Sequence, residues 1–70
     1  MENITGKLTN WSFDKKHNII VGRIEHDNRG RFHDMTRIYT SNIKEFVEDG
    51  RYAITLNSIY ELDPPFVEKE

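Results

Sequence analysis

The chain has no cysteine, and among its 70 residues only two prolines, four glycines and one tryptophan. Without cysteine, disulfides and thiolate zinc sites are excluded. A domain of this length buries only about 60% of the surface that its unfolded form exposes. Small domains lacking such staples commonly lean on a metal or on self-association, so a homo-oligomer is an expectation. No apolar run approaches the ~20 residues that span a bilayer, and no secretory-signal pattern is present. The expected setting is a soluble intracellular one. No repeat of solenoid length fits, and no low-complexity tract occurs.

Charge of one sign is also lacking overall, since ten Lys/Arg oppose twelve Asp/Glu for a net −2. The average conceals a segregation. Residues 1–44 carry eight basic and five acidic side chains (+3), whereas residues 45–70 carry two and seven (−5). Such a dipole suits steering of a charged partner or head-to-tail association, although a solvated surface with an acidic tail explains it equally well. Net acidity argues against tight nonspecific binding to duplex DNA, which depends on phosphate neutralisation.

What is present is short β patterning. Ile4 and Leu8 alternate with polar residues, and the phase then slips so that Trp11 and Phe13 continue it, as a β-bulge would require. Asp14–Asn18 reads as a turn. Ile19–Ile24 reads as a second strand rich in β-branched residues, forming a hairpin with the first. His26–Arg31 is a polar connection with residues that tolerate positive φ. Phe32–Tyr39 resumes extended structure, with Thr36 and Ile38 on one side and Met35, Arg37 and Tyr39 on the other. Glu48-Asp49-Gly50 closes a hairpin between Ile43–Val47 and Arg51–Leu56, in which Tyr52, Ile54 and Leu56 alternate. After a break at Asn57-Ser58, Ile59–Leu62 adds a last segment, which Asp63-Pro64-Pro65 terminates. The expected fold is all-β, a small five- to six-stranded SH3-like or OB-like barrel. Its single domain covers residues 1–63, followed by a flexible acidic tail at 64–70. Closure would remove the sticky edges of the sheet.

The residues Gly22-x-Ile24-x-x-Asp27-x-x-Gly30-Arg31-Phe32-x-Asp34, then Ile38-x-Thr40-Ser41, then Thr55-x-Asn57-Ser58-x-Tyr60, resemble a pattern of small uncharacterised phage and prophage proteins. The likeness spans residues 4–62 and rests on short, common residue types. Many such proteins have glycine where this chain has Met35. The resemblance implies a context rather than a reaction: a cytoplasmic setting in a bacterial host cell, and a stoichiometric modulator of host machinery, including inhibitors of antiviral defence.

Four sets of residues could carry chemistry. His26-Asp27 and His33-Asp34 flank the Arg29-Gly30 turn and could offer imidazole and carboxylate to a divalent metal. The further ligands and the cleft of a phosphohydrolase are missing from the pattern, so exposed turn residues are the better reading and no metal is assigned. Arg23, Arg29, Arg31 and Arg37 fall within fifteen residues, interleaved with Phe32 and Tyr39. Guanidinium forks and aromatic faces suit phosphate and bases, while Glu25, Asp27 and Asp34 could instead pair with them. Thr40-Ser41 and Asn57-Ser58 suit strand-end hydrogen bonding better than a ligand pocket. No serine has the strand-to-helix setting of a hydrolase nucleophile. Most of the aromatics must be core, but Trp11 and Tyr39 fall off the core phase and would be hot-spot candidates.

The sequence therefore points to a non-enzymatic protein without cofactor that binds a host protein as an inhibitor or modulator. The contact residues would be Arg29, Arg31, Phe32, His33, Arg37, Tyr39 and Trp11. The alternative is nucleotide or single-stranded nucleic-acid binding through the arginines with Phe32 or Tyr39.

Overall fold

Each apolar run of the sequence becomes one strand, and each break becomes a place where side chains replace the ladder. The computed structural model describes residues 3–67. It contains β1 (Gly6–Asp14), β2 (Ile19–Glu25), β3 (Thr36–Tyr39), β4 (Ile43–Val47), β5 (Tyr52–Thr55) and β6 (Ile59–Asp63). They form one mixed sheet in the order β3-β2-β1-β6-β5-β4. All neighbours are antiparallel except β1 and β6, which run parallel.

The phase slip in the first run is the predicted bulge. Thr9 pairs with Arg23 and Ser12 with Val21, so Asn10 and Trp11 together oppose Gly22. Asn10 takes a left-handed φ of 48°, which asparagine accepts more readily than most residues. A Cβ on Gly22 would lie 2.8 Å from the Trp11 Cβ, so only glycine lets the bulged strand approach this closely.

The core draws on every strand: Leu8, Ile20, Ile24, Ile38, Ile43, Ala53, Tyr60 and Leu62. In β5 the buried phase is Ala53 and Thr55, not Tyr52, Ile54 and Leu56 as the alternation suggested. Tyr60 pairs with Ala53, and both are buried; the small side chain sits opposite a large one that fills the core, while Leu56 is left exposed.

The sheet is not closed into the expected SH3-like or OB-like barrel. Its edges, β3 and β4, are consecutive in the chain and form no ladder with each other. The intervening Thr40–Asn42 segment is instead clasped to the β1–β2 turn. Asn18 donates from Nδ2 to the Ile43 carbonyl at 2.8 Å, Ile43 N–H donates to the Asn18 carbonyl at 3.0 Å, and Asn42 Nδ2 donates to the His17 carbonyl at 3.0 Å.

The two hydroxyl-bearing breaks act as corners. Thr40 Oγ1 accepts from the Ile20 N–H (2.9 Å) and donates to the Ser41 carbonyl (2.8 Å). Thr55 Oγ1 accepts from the Ser58 N–H (2.9 Å) and the Asn57 N–H (3.3 Å), and donates to the Ser58 carbonyl (3.1 Å). Every hydrogen-bonding valence of that buried hydroxyl is used. A Thr55→Val variant should therefore lose about 1–2 kcal/mol, because it strands the Ser58 amide. Urea unfolding checks this, and an unchanged midpoint would refute the corner role.

At the C-terminal end, Phe66 does not begin a loose tail. Its N–H donates to the Gly50 carbonyl at 2.8 Å. Its ring stacks on Phe46 at 4.0 Å and meets Phe13 edge-on at 5.8 Å. The last three residues of the predicted tail lie outside the described residues.

Candidate partner-binding surface

The β2–β3 connection, residues 26–35, is built around one carboxylate. Asp27 Oδ2 accepts from the Arg31 N–H at 2.7 Å and the Phe32 N–H at 3.0 Å, and Oδ1 accepts from the Arg29 N–H at 3.1 Å. Its side chain is 1% exposed and faces Arg31 Nε at 3.5 Å. Burial alone would raise the Asp27 pKa, but the three amides and the Arg31 charge more than offset it and hold it below the usual carboxylate value. This hub explains why β3 begins at Thr36 rather than Phe32. The Arg31 and Phe32 amides are given to a side chain, not to a strand partner.

Further bonds fasten the loop to the body. Asn28 donates from its backbone to the Thr5 carbonyl (2.7 Å) and from Nδ2 to the Ile4 carbonyl (2.6 Å). Arg29 reaches the β5–β6 corner, with Nη2 on the Asn57 carbonyl at 2.8 Å and Nη1 on Ser58 Oγ at 3.2 Å. Arg31 Nη2 lies 3.5 Å from the Tyr60 hydroxyl, whose interaction raises the Arg31 pKa further. Asp34 Oδ1 accepts from the His26 N–H at 3.0 Å. Both carboxylates of the two His-Asp pairs are thus turned toward backbone amides. Among the described residues no group of three or more His, Asp or Glu side chains converges.

The residues singled out in the sequence divide into four places. Arg29 and Arg31 remain exposed but are engaged as clamps on the β5–β6 corner and the Tyr60 hydroxyl. Phe32 and His33 are exposed on the loop, with the Arg31 guanidinium 5.0 Å from the Phe32 ring centroid. Arg37 and Tyr39 lie on the outer face of β3, Arg37 over the Tyr39 ring at 5.6 Å. Trp11 is elsewhere: the bulge turns it to the core side, where it packs on Phe66 at 6.3 Å and donates from Nε1 to the Pro64 carbonyl at 2.8 Å. It is half-buried, not the exposed anchor expected.

Two further residues join this surface. Met35 is exposed and holds φ at 69°. Arg23 pairs directly with Arg37 across β2 and β3, beside a polar depression of about 330 Å³ bounded by Asn10, Ser12 and Gly22. Arg23 belongs to the arginine cluster of the sequence, but its place opposite Arg37 follows from the β2–β3 register, and the left-handed φ of Met35 has no signal in its residue type.

No family model, no curated protein and no solved structure matches this chain.

Proposed function

We propose that this chain is a non-enzymatic binding protein that associates stoichiometrically with a protein partner through β3 and the loop that feeds it. One observation carries the reading. Met35 is a large apolar side chain, 45% exposed, held in the left-handed backbone region. For a residue with a Cβ that conformation costs about 1–2 kcal/mol, a cost glycine avoids. The Met35 N–H bond to the Ile24 carbonyl at 2.6 Å holds this conformation where the loop enters β3, and strained positions with exposed side chains are the kind of feature found at ligand clamps. Phe32 (39% exposed) and Tyr39 (64%) fall in the same stretch of chain, and aromatic side chains beside arginine are typical of interface anchors.

The Asp27 hub and the Arg29 clamp support the same reading, because a loop already ordered before binding loses less entropy on association. That the partner is a host protein, inhibited or modulated by the contact, is what the phage-type resemblance contributes to the proposal. Nucleotide or nucleic-acid binding is the weaker reading: Arg29 and Arg31 donate inward, leaving Arg23 and Arg37 with Tyr39 to serve it.

Met35→Gly separates fold from function. It should raise stability by about 0.5–1 kcal/mol by relieving the left-handed strain, yet weaken retention of the partner. In tagged pull-downs from bacterial lysate, wild type and Leu56→Ser should hold one stoichiometric protein. Met35→Gly and Tyr39→Ser should release it. Equal retention by all four, or nuclease-sensitive material without protein, would overturn the proposal.

A further inference from the structure

We infer that the segment this surface takes up is an extended, carboxylate-bearing peptide that adds as a strand to the free edge of β3. The inference rests on the protein-binding reading above and names the chemistry of the partner.

The main chain supplies the first argument. β3 pairs with β2 alone. The Thr40 N–H donates to the Ile20 carbonyl at 2.9 Å, with the Ile20 N–H returned to Thr40 Oγ1, so 20 and 40 face each other at a hydrogen-bonding position of the register. The two-residue period of an antiparallel ladder then turns the Ile38 amide toward β2 and the peptide groups of Arg37 and Tyr39 away from it. Two N–H and two C=O groups therefore face outward in strand spacing, which is the template used in β-augmentation. A polypeptide answers all four; a phosphodiester chain does not.

Charge supplies the second. Arg23 and Arg37 are directly opposed on the outer face, and like charges so placed repel. Among the described residues neither is within ion-pair distance of a carboxylate. The nearest acid on that face of β2, Glu25, accepts from Thr9 Oγ1 at 3.4 Å. An incoming carboxylate beside the edge would relieve the repulsion and accept from both forks.

The same arginines select among occupants. Two copies of this chain joined antiparallel through β3 would bring four guanidinium groups to one seam, so a second copy is disfavoured. Charged edge residues of this kind guard natural sheets against self-pairing. The opposite edge, β4, differs: it is bulged between Ile43 and Glu45, and its exposed Lys44 and Glu45 carry both signs. It offers no comparable preference for an acidic strand.

The test is a ¹H–¹⁵N titration of the full chain with a capped eight-residue peptide of alternating Glu and Val. Its Lys/Val counterpart, an N-methylated Glu/Val version and a short oligothymidylate serve as comparisons. The Glu/Val peptide should shift the Arg37 and Tyr39 amides saturably, more weakly at high salt. Arg23→Gln combined with Arg37→Gln should weaken binding by about tenfold while leaving the dispersed spectrum intact. The Lys/Val and N-methylated peptides should not bind at this edge. Equal binding of the N-methylated peptide would reduce the site to charge alone and overturn strand addition. Oligothymidylate shifting this face in place of the peptide would overturn the peptide class. Dilution-dependent shifts at β3 without any probe would assign the edge to a second copy. Silence of the Glu/Val peptide, alongside a pull-down partner lost in Tyr39→Ser, would sink this inference and leave the protein-binding reading standing.

Discussion

Asp27→Ala is expected to lose about 3 kcal/mol at neutral pH and about 10–20 °C in Tm. The carboxylate accepts three backbone N–H bonds within 3.1 Å and faces the Arg31 guanidinium. Hydrogen bonds to a charged group contribute about 1.5–3 kcal/mol each. The full sum is not expected, because the freed loop can turn its amides to water. What remains is large for a 70-residue domain, whose total stability lies near the low end of about 5–15 kcal/mol. Local consequences should follow. Arg29 and Arg31 would lose their aim at the β5–β6 corner and Tyr60, and amide exchange across residues 26–35 should rise well before global unfolding. Unchanged exchange in that loop would show that the carboxylate is not its organiser.

The same carboxylate sets an acid limit. Its folded pKa lies below the ordinary value of 3.8, so the folded state binds the proton less readily than the unfolded chain does. Its contribution is then full above pH 3.8 and is lost as pH falls through the depressed folded value. Asp27→Asn keeps the shape but cannot ionise, and its stability curve should lack this step. Asp14, whose pKa is lowered chiefly by its hydrogen bond with His17, adds an acid response of the same sign in both proteins. The difference between wild type and Asp27→Asn, followed by urea unfolding from pH 7 to pH 2, isolates Asp27. Parallel curves would mean that Asp27 carries no linkage.

Local rules made much of the fold legible. The phase slip at Asn10-Trp11 announced the bulge, Asp49-Gly50 announced the β4–β5 hairpin, and the prolines after Asp63 marked the end of regular structure. Each depends on residues close in sequence. The parallel β1–β6 pairing and the gap between β3 and β4 depend on which distant strands meet, and no short pattern encodes that. Leu56 illustrates the limit: its alternation with Ile54 was real, but Ala53 opposite Tyr60 decided which phase is buried. The candidate surface was half legible for the same reason. Exposed Tyr39 could be read from its strand phase, whereas Trp11, read the same way, is half-buried because the bulge turns it toward Phe66. The engagement of Arg29 and Arg31 required knowing that the β5–β6 corner and Tyr60 lie within their reach. The opposition of Arg23 and Arg37 required the β2–β3 register.

Gly50→Ala should cost about 3 kcal/mol, and the reason lies sixteen residues away. Gly50 sits at φ 84°, where an alanine is strained by about 1–2 kcal/mol. Its added Cβ would also fall on the Phe66 carbonyl oxygen and within 2.8 Å of the Phe66 carbonyl carbon. Backbone cannot step aside there without breaking the bond from the Phe66 N–H to the Gly50 carbonyl. Phe66 would lift away from Phe46, Phe13 and Trp11, the rings it joins, forfeiting contacts worth about 0.5–1.5 kcal/mol per aromatic pair beyond burial. The two terms separate in a double-mutant cycle. On a Phe66→Ala background, Gly50→Ala should retain the backbone strain but lose most of the ring penalty, so the two losses should fall short of additive. Trp11, the single tryptophan, reports the event directly, because its indole packs on Phe66 and donates to the Pro64 carbonyl. Folded Gly50→Ala should show red-shifted tryptophan emission, matched by Phe66→Ala. Full additivity with unshifted emission would mean that Phe66 does not close over Gly50, and that the aromatic cluster is anchored by Phe13 and Phe46 alone.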